Sequence, residues 1–504
     1  MPAANIRSKL RFKGLVLSTI LALAAVNSGL PALAVGVEIP PDSMKTPPLL
    51  PEQSVSTFVP SATCPNTPGL AVNIIYPKKA RYKDGAPVAV VVPGGFAADG
   101  LNFNMHAAQV GAIEVRFAFP GGGNKNFSSG GEFDNRGARS VEALKDVILF
   151  AAGAAKDYKE RSIKDLMEGK VAVSPGNVGL VGWDNGGNAA LVALSRYPSE
   201  LYMVAWLLFY ESPVGAMFSP ANLGSSADLL TNKHYREGSA ATGHILVDYR
   251  KLKWSAKAIR NPNRFSGKKR GLPGNKGVLF FDENGNGIWE ESIEFACNSL
   301  LDQSILKQYF PPQITAAAKR LNLFEEEWPS NLATVQESEE FFSDRDGSLY
   351  VGQVAEQYPQ LLVGIFASAV DHNQQQPDHP HICFLYNLFL SKHAHWLKLN
   401  PDPNYVSAVA AMNVANFVNN KANDSIDASQ ILSHLEGEGV IPDYLYMDSF
   451  VAELADRYKT KNLSVLKQPL AGYVYGSSLA PAPAKPESAA GNGAAKSAAG
   501  AAKN

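Results

Sequence analysis

One stretch constrains this chain more than any other: Asn177-Val-Gly-Leu-Val-Gly-Trp-Asp-Asn-Gly-Gly-Asn-Ala-Ala-Leu-Val-Ala-Leu194. Its first part, Val178 to Val181, is a short apolar run of the kind a strand buried on both faces requires. Gly182-Trp183-Asp184-Asn185-Gly186-Gly187 then packs three glycines into a turn, and an alanine- and leucine-rich helix follows. The spacing is that of the G-x-S-x-G elbow, in which a side chain stands on a sharp strand-to-helix turn. Glycines two residues either side of the tip let strand and helix backbones approach closely. The helix aims its N-terminal amides and positive dipole end at the tip.

The tip residue here is Asp184 rather than Ser. A carboxylate in that place can act as a nucleophile through an ester intermediate, as a general base, or not at all. The plain alternative is a strand, a glycine turn and a helix that merely pack tightly.

At 504 residues the chain is long enough for two or three units of about 150 residues, or for one enlarged domain with an insertion. With 46 basic against 47 acidic side chains, nothing in the charge balance points to nucleic acid or to an anionic membrane surface. A small-molecule substrate is the expected partner.

The N-terminus reads as a targeting segment. Arg7, Lys9, Arg11 and Lys13 form a basic region, Gly14 to Leu33 an apolar one, and Ala32-Leu33-Ala34 an A-x-A cleavage site. An uncleaved anchor helix is the competing reading. The expectation is export to a periplasmic or extracellular location, with a mature chain starting near Val35 and no membrane association after cleavage. Such a compartment permits disulfides. Of Cys64, Cys297 and Cys383, the last lies in an apolar helical stretch and reads as a buried thiol, leaving Cys64 with Cys297 as the pair to test.

Along the chain, residues 35–69 form a Pro/Ser/Thr-rich extended lead-in. Leu70 to Tyr76 reads as the first strand and Pro87 to Pro93 as a fully buried one. Pro93-Gly-Gly-Phe96 follows directly. A short helix over Met105 to Val110, a strand over Ala112 to Phe119 and a helix over Asp134 to Ala151 lead to the elbow, with a further strand from Tyr202 to Phe209. Strands alternating with helices imply a parallel sheet with right-handed crossovers.

On these residues, the stretch from about 70 to 216 resembles the α/β-hydrolase superfamily. The resemblance implies an α/β fold: a mostly parallel sheet with helices on both faces and a cap-like insertion, here residues 217–347. The core would resume over 348–476 with C-terminal helices, and 477–504, rich in Ala, Pro, Gly and Lys, reads as a disordered tail. The resemblance also makes Gly95, Phe96 and Asn185 the sources of oxyanion-binding amides.

Within the insertion, Asp282, Asn284, Asn286 and Gly287 match the first half of a calcium loop, D-x-[DN]-x-[DN]-G. The twelfth position is Ile293 rather than Glu, so Glu290 or Glu291 is the candidate for the missing carboxylate. Calcium here would be structural, and no cofactor is otherwise required. An ordinary Asn/Gly turn is the alternative.

After a strand over Tyr358 to Ser368 comes the second unusual stretch. Three of the nine histidines, His372, His379 and His381, fall within ten residues beside Asp371 and Asp378. A helix over Ile382 to Leu390 and a last strand over His395 to Asn400 follow, with further helices over Ser407 to Asn420 and Asp448 to Tyr458. The resemblance places the catalytic acid at Asp371, but its histidine after the last strand is missing: Pro401 to Tyr405 holds none.

Three readings stay open. A loop histidine (His372, His379 or His381) serves as base for Asp184, in a set resembling haloalkane dehalogenases and epoxide hydrolases, with Asp371 or Glu211 as acid. Those enzymes usually carry Trp after the Asp, whereas Trp183 precedes it. In the second reading the histidine loop binds a metal such as zinc. In the third, the fold is kept without turnover by an exported binding protein. The first is preferred: hydrolysis of a small ester, epoxide, halide or related bond.

Overall fold

The computed structural model describes residues 53–94, 98–103, 105–215, 224–225, 230–231, 249–260, 275–290, 293–297, 309–310, 312–323, 333–367, 380–409 and 443–464. The targeting segment, Gly95, Phe96, Glu291, Asp371, His372, His379, most of the expected helix over Ser407 to Asn420 and the C-terminal tail lie outside the described residues.

Eight strands form one sheet: β1 (Gln53–Val59), β2 (Leu70–Tyr76), β3 (Ala86–Val92), β4 (Ile113–Phe117), β5 (Val173–Trp183), β6 (Val204–Tyr210), β7 (Leu362–Phe366) and β8 (Trp396–Leu399). Side by side they run β1-β2-β4-β3-β5-β6-β7-β8. Every neighbouring pair from β4 to β8 is parallel. The strand β2 is antiparallel to both of its neighbours.

The continuous apolar sequences of β3 and β6 match their complete burial. Alternate residues of β3 serve opposite faces of the sheet, as a two-residue period demands. Val88, Val90 and Val92 enter the core shared with α1 (Ala138–Ala151), α2 (Gly186–Arg196), α3 (Val351–Gln357) and α4 (Pro380–Ser391). Ala89 and Val91 enter a second core built with α5 (Asp443–Thr460). This strand order, with helices on both faces and a sharp turn from β5 into α2, is the α/β-hydrolase fold.

Several sequence expectations are corrected. Leu70 to Tyr76 is the second strand: the lead-in contributes β1, an edge strand paired along its whole length with β2. Its Gln53-Ser-Val-Ser56 start is exposed or half-buried, so the apolar signal is confined to its last residues. The short helix expected over Met105 to Val110 is confined to Ala107–Val110, one turn of 3-10 helix. Helix α1 starts at Ala138, and Asp134 stays outside it as a cap, accepting hydrogen bonds from the amides of Gly137 (3.1 Å), Arg139 (2.7 Å) and Ser140 (3.2 Å). The elbow strand runs from Val173 to Trp183, well beyond the four residues expected.

In the insertion, strands Leu252–Arg260, Asn275–Phe281 and Phe295–Ala296 make an antiparallel sheet. Helix Pro312–Arg320 packs on it around Leu252, Leu279, Phe281, Cys297 and Ile314. Cys297 is therefore buried in a core of its own, while the Cys64 thiol, under the β1–β2 connection, donates to the Gly130 carbonyl at 3.2 Å. No disulfide joins them, and Cys383 is also buried and in no disulfide.

Candidate active site

Asp184 stands at the end of β5 with a φ of +46°, a left-handed conformation uncommon outside glycine. Its own amide donates to the Tyr210 carbonyl (2.9 Å), so the ladder between β5 and β6 runs up to the tip. The chain then reverses: the Gly187 amide donates to the Asp184 carbonyl (3.1 Å), and Asn185 caps α2. The glycines make this possible. A Cβ at Gly182 would lie 2.5 Å from the Cα of Gly187, so the strand and helix backbones are already in contact. One at Gly94 would lie 2.3 Å from Trp183 Cδ1 and 2.9 Å from Asp184 Cβ. Gly94, just after β3, thus lies against the elbow.

Two other strand tips carry left-handed residues. Glu211, after β6, is buried with φ +46°, and its amide donates to the Phe366 carbonyl (3.1 Å). Asn400, after β8, has φ +58° and accepts from the Ala367 amide through Oδ1 at 2.9 Å. Just inside these tips, Trp183, Tyr210 and Phe366 stack in register across three strands, with centroids 4.4 and 4.5 Å apart and planes within 11°. The three rings make a stiff floor beside Asp184.

Sequence reading missed Arg136, which is completely buried. It follows Asn135, and both have positive φ (+67° and +54°), so consecutive left-handed residues turn the side chain inward. The guanidinium donates to the Gly94 carbonyl at 2.8 Å and lies 4.6 Å from the centre of the Phe119 ring. Burial pulls it down to about 9, against the opposing pull of the Asp184 charge, so it stays cationic at neutral pH. The Asp134-Asn-Arg-Gly137 run was a readable signal. It has turn chemistry, and a cation just before a helix N-terminus is unfavourable to the helix dipole.

Behind the elbow, the side chain of Asn188 links α2 to the end of the insertion. Its Nδ2 donates to Asn185 Oδ1 (3.0 Å), and its Oδ1 accepts from the Gly347 amide (2.8 Å). Neighbouring Asp346 is fully buried, its Oδ1 accepting from the amides of Gly215 (3.2 Å) and Ser348 (2.8 Å).

Of the sequence-derived candidates, Asp184 and Asn185 meet at the tip, beside the residue that precedes Gly95 and Phe96. His381 is buried in the first turn of α4, the helix that packs through Phe384 on the loop after β6. Asp371, His372 and His379 lie outside the described residues.

Asp282, Asn284, Asn286 and Glu290 gather elsewhere, in the insertion. Asp282 accepts from the amides of Gly285 (2.8 Å) and Gly287 (3.0 Å), and both Asn side-chain amides donate to Glu290 Oε2, at 2.5 and 2.9 Å. The carboxylate that closes the loop is Glu294, one position beyond the twelfth, which accepts from the amides of Glu283 (3.1 Å) and Glu290 (2.8 Å). Among the described residues no three His, Cys, Asp or Glu side chains converge as a metal-binding set, so a cation here would need the Asn oxygens.

Strand order and elbow together define the α/β-hydrolase fold, here with a carboxylate at the tip of the elbow. No family model and no curated protein matches the sequence. Among solved structures, the chain is similar to brefeldin A esterase, described as a bacterial homologue of human hormone-sensitive lipase (15% identity, 41% of this chain and 52% of that one, TM-score 0.24). It is also similar to a hyperthermophilic esterase from Pyrobaculum calidifontis (17% identity, 34% and 49%, TM-score 0.23) and to esterase Est22 (10% identity, 81% and 79%, TM-score 0.35). The first two matches span about half the length of those proteins. The fold assignment rests on the strand order and the elbow.

Proposed function

We propose that this protein is an exported hydrolase in which Asp184 attacks a small ester, epoxide, halide or related bond. The observation that carries the reading is the left-handed Asp184 at the strand tip, with the Gly94 loop against it. In the proposed sequence a carboxylate oxygen bonds to the substrate carbon as the leaving group departs. A water molecule, deprotonated by His372, His379 or His381, then cleaves that ester. Asp371 or Glu211 orients the base, and the amides of Gly95, Phe96 and Asn185 bind the developing oxyanion.

Single-turnover hydrolysis of an epoxide or halide in oxygen-18 water tests the nucleophile. The first product alcohol should carry unlabelled oxygen from Asp184, and Asp184→Asn should lower kcat at least ~1000-fold. Labelled oxygen in the first product would mean direct attack by water. The second reading, a binding protein without turnover, draws on the same replacement of Ser by Asp and on the absence of histidine just after β8. A broad substrate panel separates the two. Export is checked by N-terminal sequencing of protein from outside the cytoplasm, expected to begin near Val35; an intact Met1 there would contradict cleavage.

A further inference from the structure

We infer that Arg136 is a positioning residue for the Asp184 site: its guanidinium holds the Gly94 carbonyl and places a buried positive charge opposite the elbow carboxylate. This rests on the reading of Asp184 as the reacting group. A guanidinium stripped of water is costly, and a nearby carboxylate is what offsets that cost. A residue needed only to fill space would be apolar, because the site is buried and walled by the Phe119 ring.

The chain goes to some length to place this side chain. The left-handed pair Asn135-Arg136 is gripped from the far side of the insertion by Arg345. That residue donates from Nε to the Asn135 carbonyl (2.8 Å) and from Nη2 to the Asp134 carbonyl (2.9 Å), and its guanidinium stacks 3.6 Å from the Phe341 ring centre. Asp134 meanwhile pins the start of α1. Arg136 is therefore held from behind and points toward the loop after β3.

Two consequences follow for the reaction. The hydrogen bond to the Gly94 carbonyl fixes the backbone that lies against the elbow. The charge also favours the ionised form of Asp184, the form that attacks. Lysine cannot replace both actions, since its point charge lacks the planar fork.

The test is a double-mutant cycle on stability, which needs no substrate. Asn tolerates a left-handed φ as well as Asp does, so Asp184→Asn isolates the charge. It should destabilise the protein that has Arg136 and have little or no effect on Arg136→Met, a coupling of roughly tenfold or more in the unfolding constant. Additive effects would overturn the pairing. If Arg136→Met does not fold, carboxyl carbon-13 NMR on Arg136→Gln takes its place: Asp184 should titrate at higher pH than in the wild type, and an unmoved titration overturns the inference. On a hydrolysed substrate Arg136→Lys should lower kcat at least tenfold with KM little changed; equal kcat would remove the loop-holding role. Absence of turnover in the wild type would strike the proposed function alone, since the cycle and the titration read the pairing without it.

Discussion

Asp346 shows what one side chain can reveal about its surroundings. Its Oδ1 takes two amides, while its Oδ2 is buried with no hydrogen-bond partner among the described residues. Burial pushes the carboxyl up to about 6. The native state then holds a proton that the unfolded chain has released, at every pH between the ordinary carboxylate value near 4 and about 6. Protons bound by the native state exceed those bound by the unfolded one, so stability falls as pH rises through that window and is flat above it. The stability of wild type relative to Asp346→Asn should therefore drop by about 2 kcal/mol between pH 4 and pH 6.5 in urea titrations. A difference independent of pH would show that the carboxyl titrates normally. Nothing in the sequence marks Asp346: it is a charged residue in the polar run Ser343-Asp-Arg-Asp-Gly347, and only the packed fold removes its water.

Local elements divide between those whose chemistry lies in adjacent residues and those whose chemistry depends on distant ones. The elbow was legible because its whole specification, apolar strand, glycines at fixed offsets and helix, lies within eighteen consecutive residues. The buried strands β3 and β6 were legible for the same reason, while the edge strand β1 was not, because an edge needs no continuous apolar run. The insertion loop lies in between. Its Asp-x-Asn-x-Asn-Gly half could be read, but Glu294 could not, being displaced one place from the expected position. We propose that this loop binds calcium and stabilises the insertion. The two Asn amides donate to Glu290. With calcium, Glu290 and the Asn oxygens would turn inward to the metal. Calorimetry with calcium a hundredfold above its dissociation constant should show about 2–3 kcal/mol of stabilisation over a chelator, weakened by Glu294→Gln. Identical melting curves would reduce the loop to an Asn/Gly turn.

The molecule as a whole is closed by its last described helix. Helix α5 brings Asp456 to Arg81, whose Nε and Nη2 both donate to the carboxylate at 2.6 Å. Tyr82 (2.8 Å) and Tyr405 (3.1 Å) donate to the same group, and Arg81 holds it below the usual carboxylate range although burial opposes this. Nearer its middle, α5 presents the buried Glu453 to Lys398 of β8 and to Arg457. Asp456→Ala leaves Arg81 without its carboxylate and two tyrosines without an acceptor. It should cost about 2–3 kcal/mol in urea unfolding, far more than an exposed ion pair would; a loss within about 0.5 kcal/mol would show that the clasp is ornamental. Helix α5 also supplies Leu445, Phe450, Val451 and Leu454 to the second face of the sheet. Because this helix is translated after all eight strands, the sheet residues it covers stay without that cover until it emerges. A nascent chain in that condition cannot lock into its final form early.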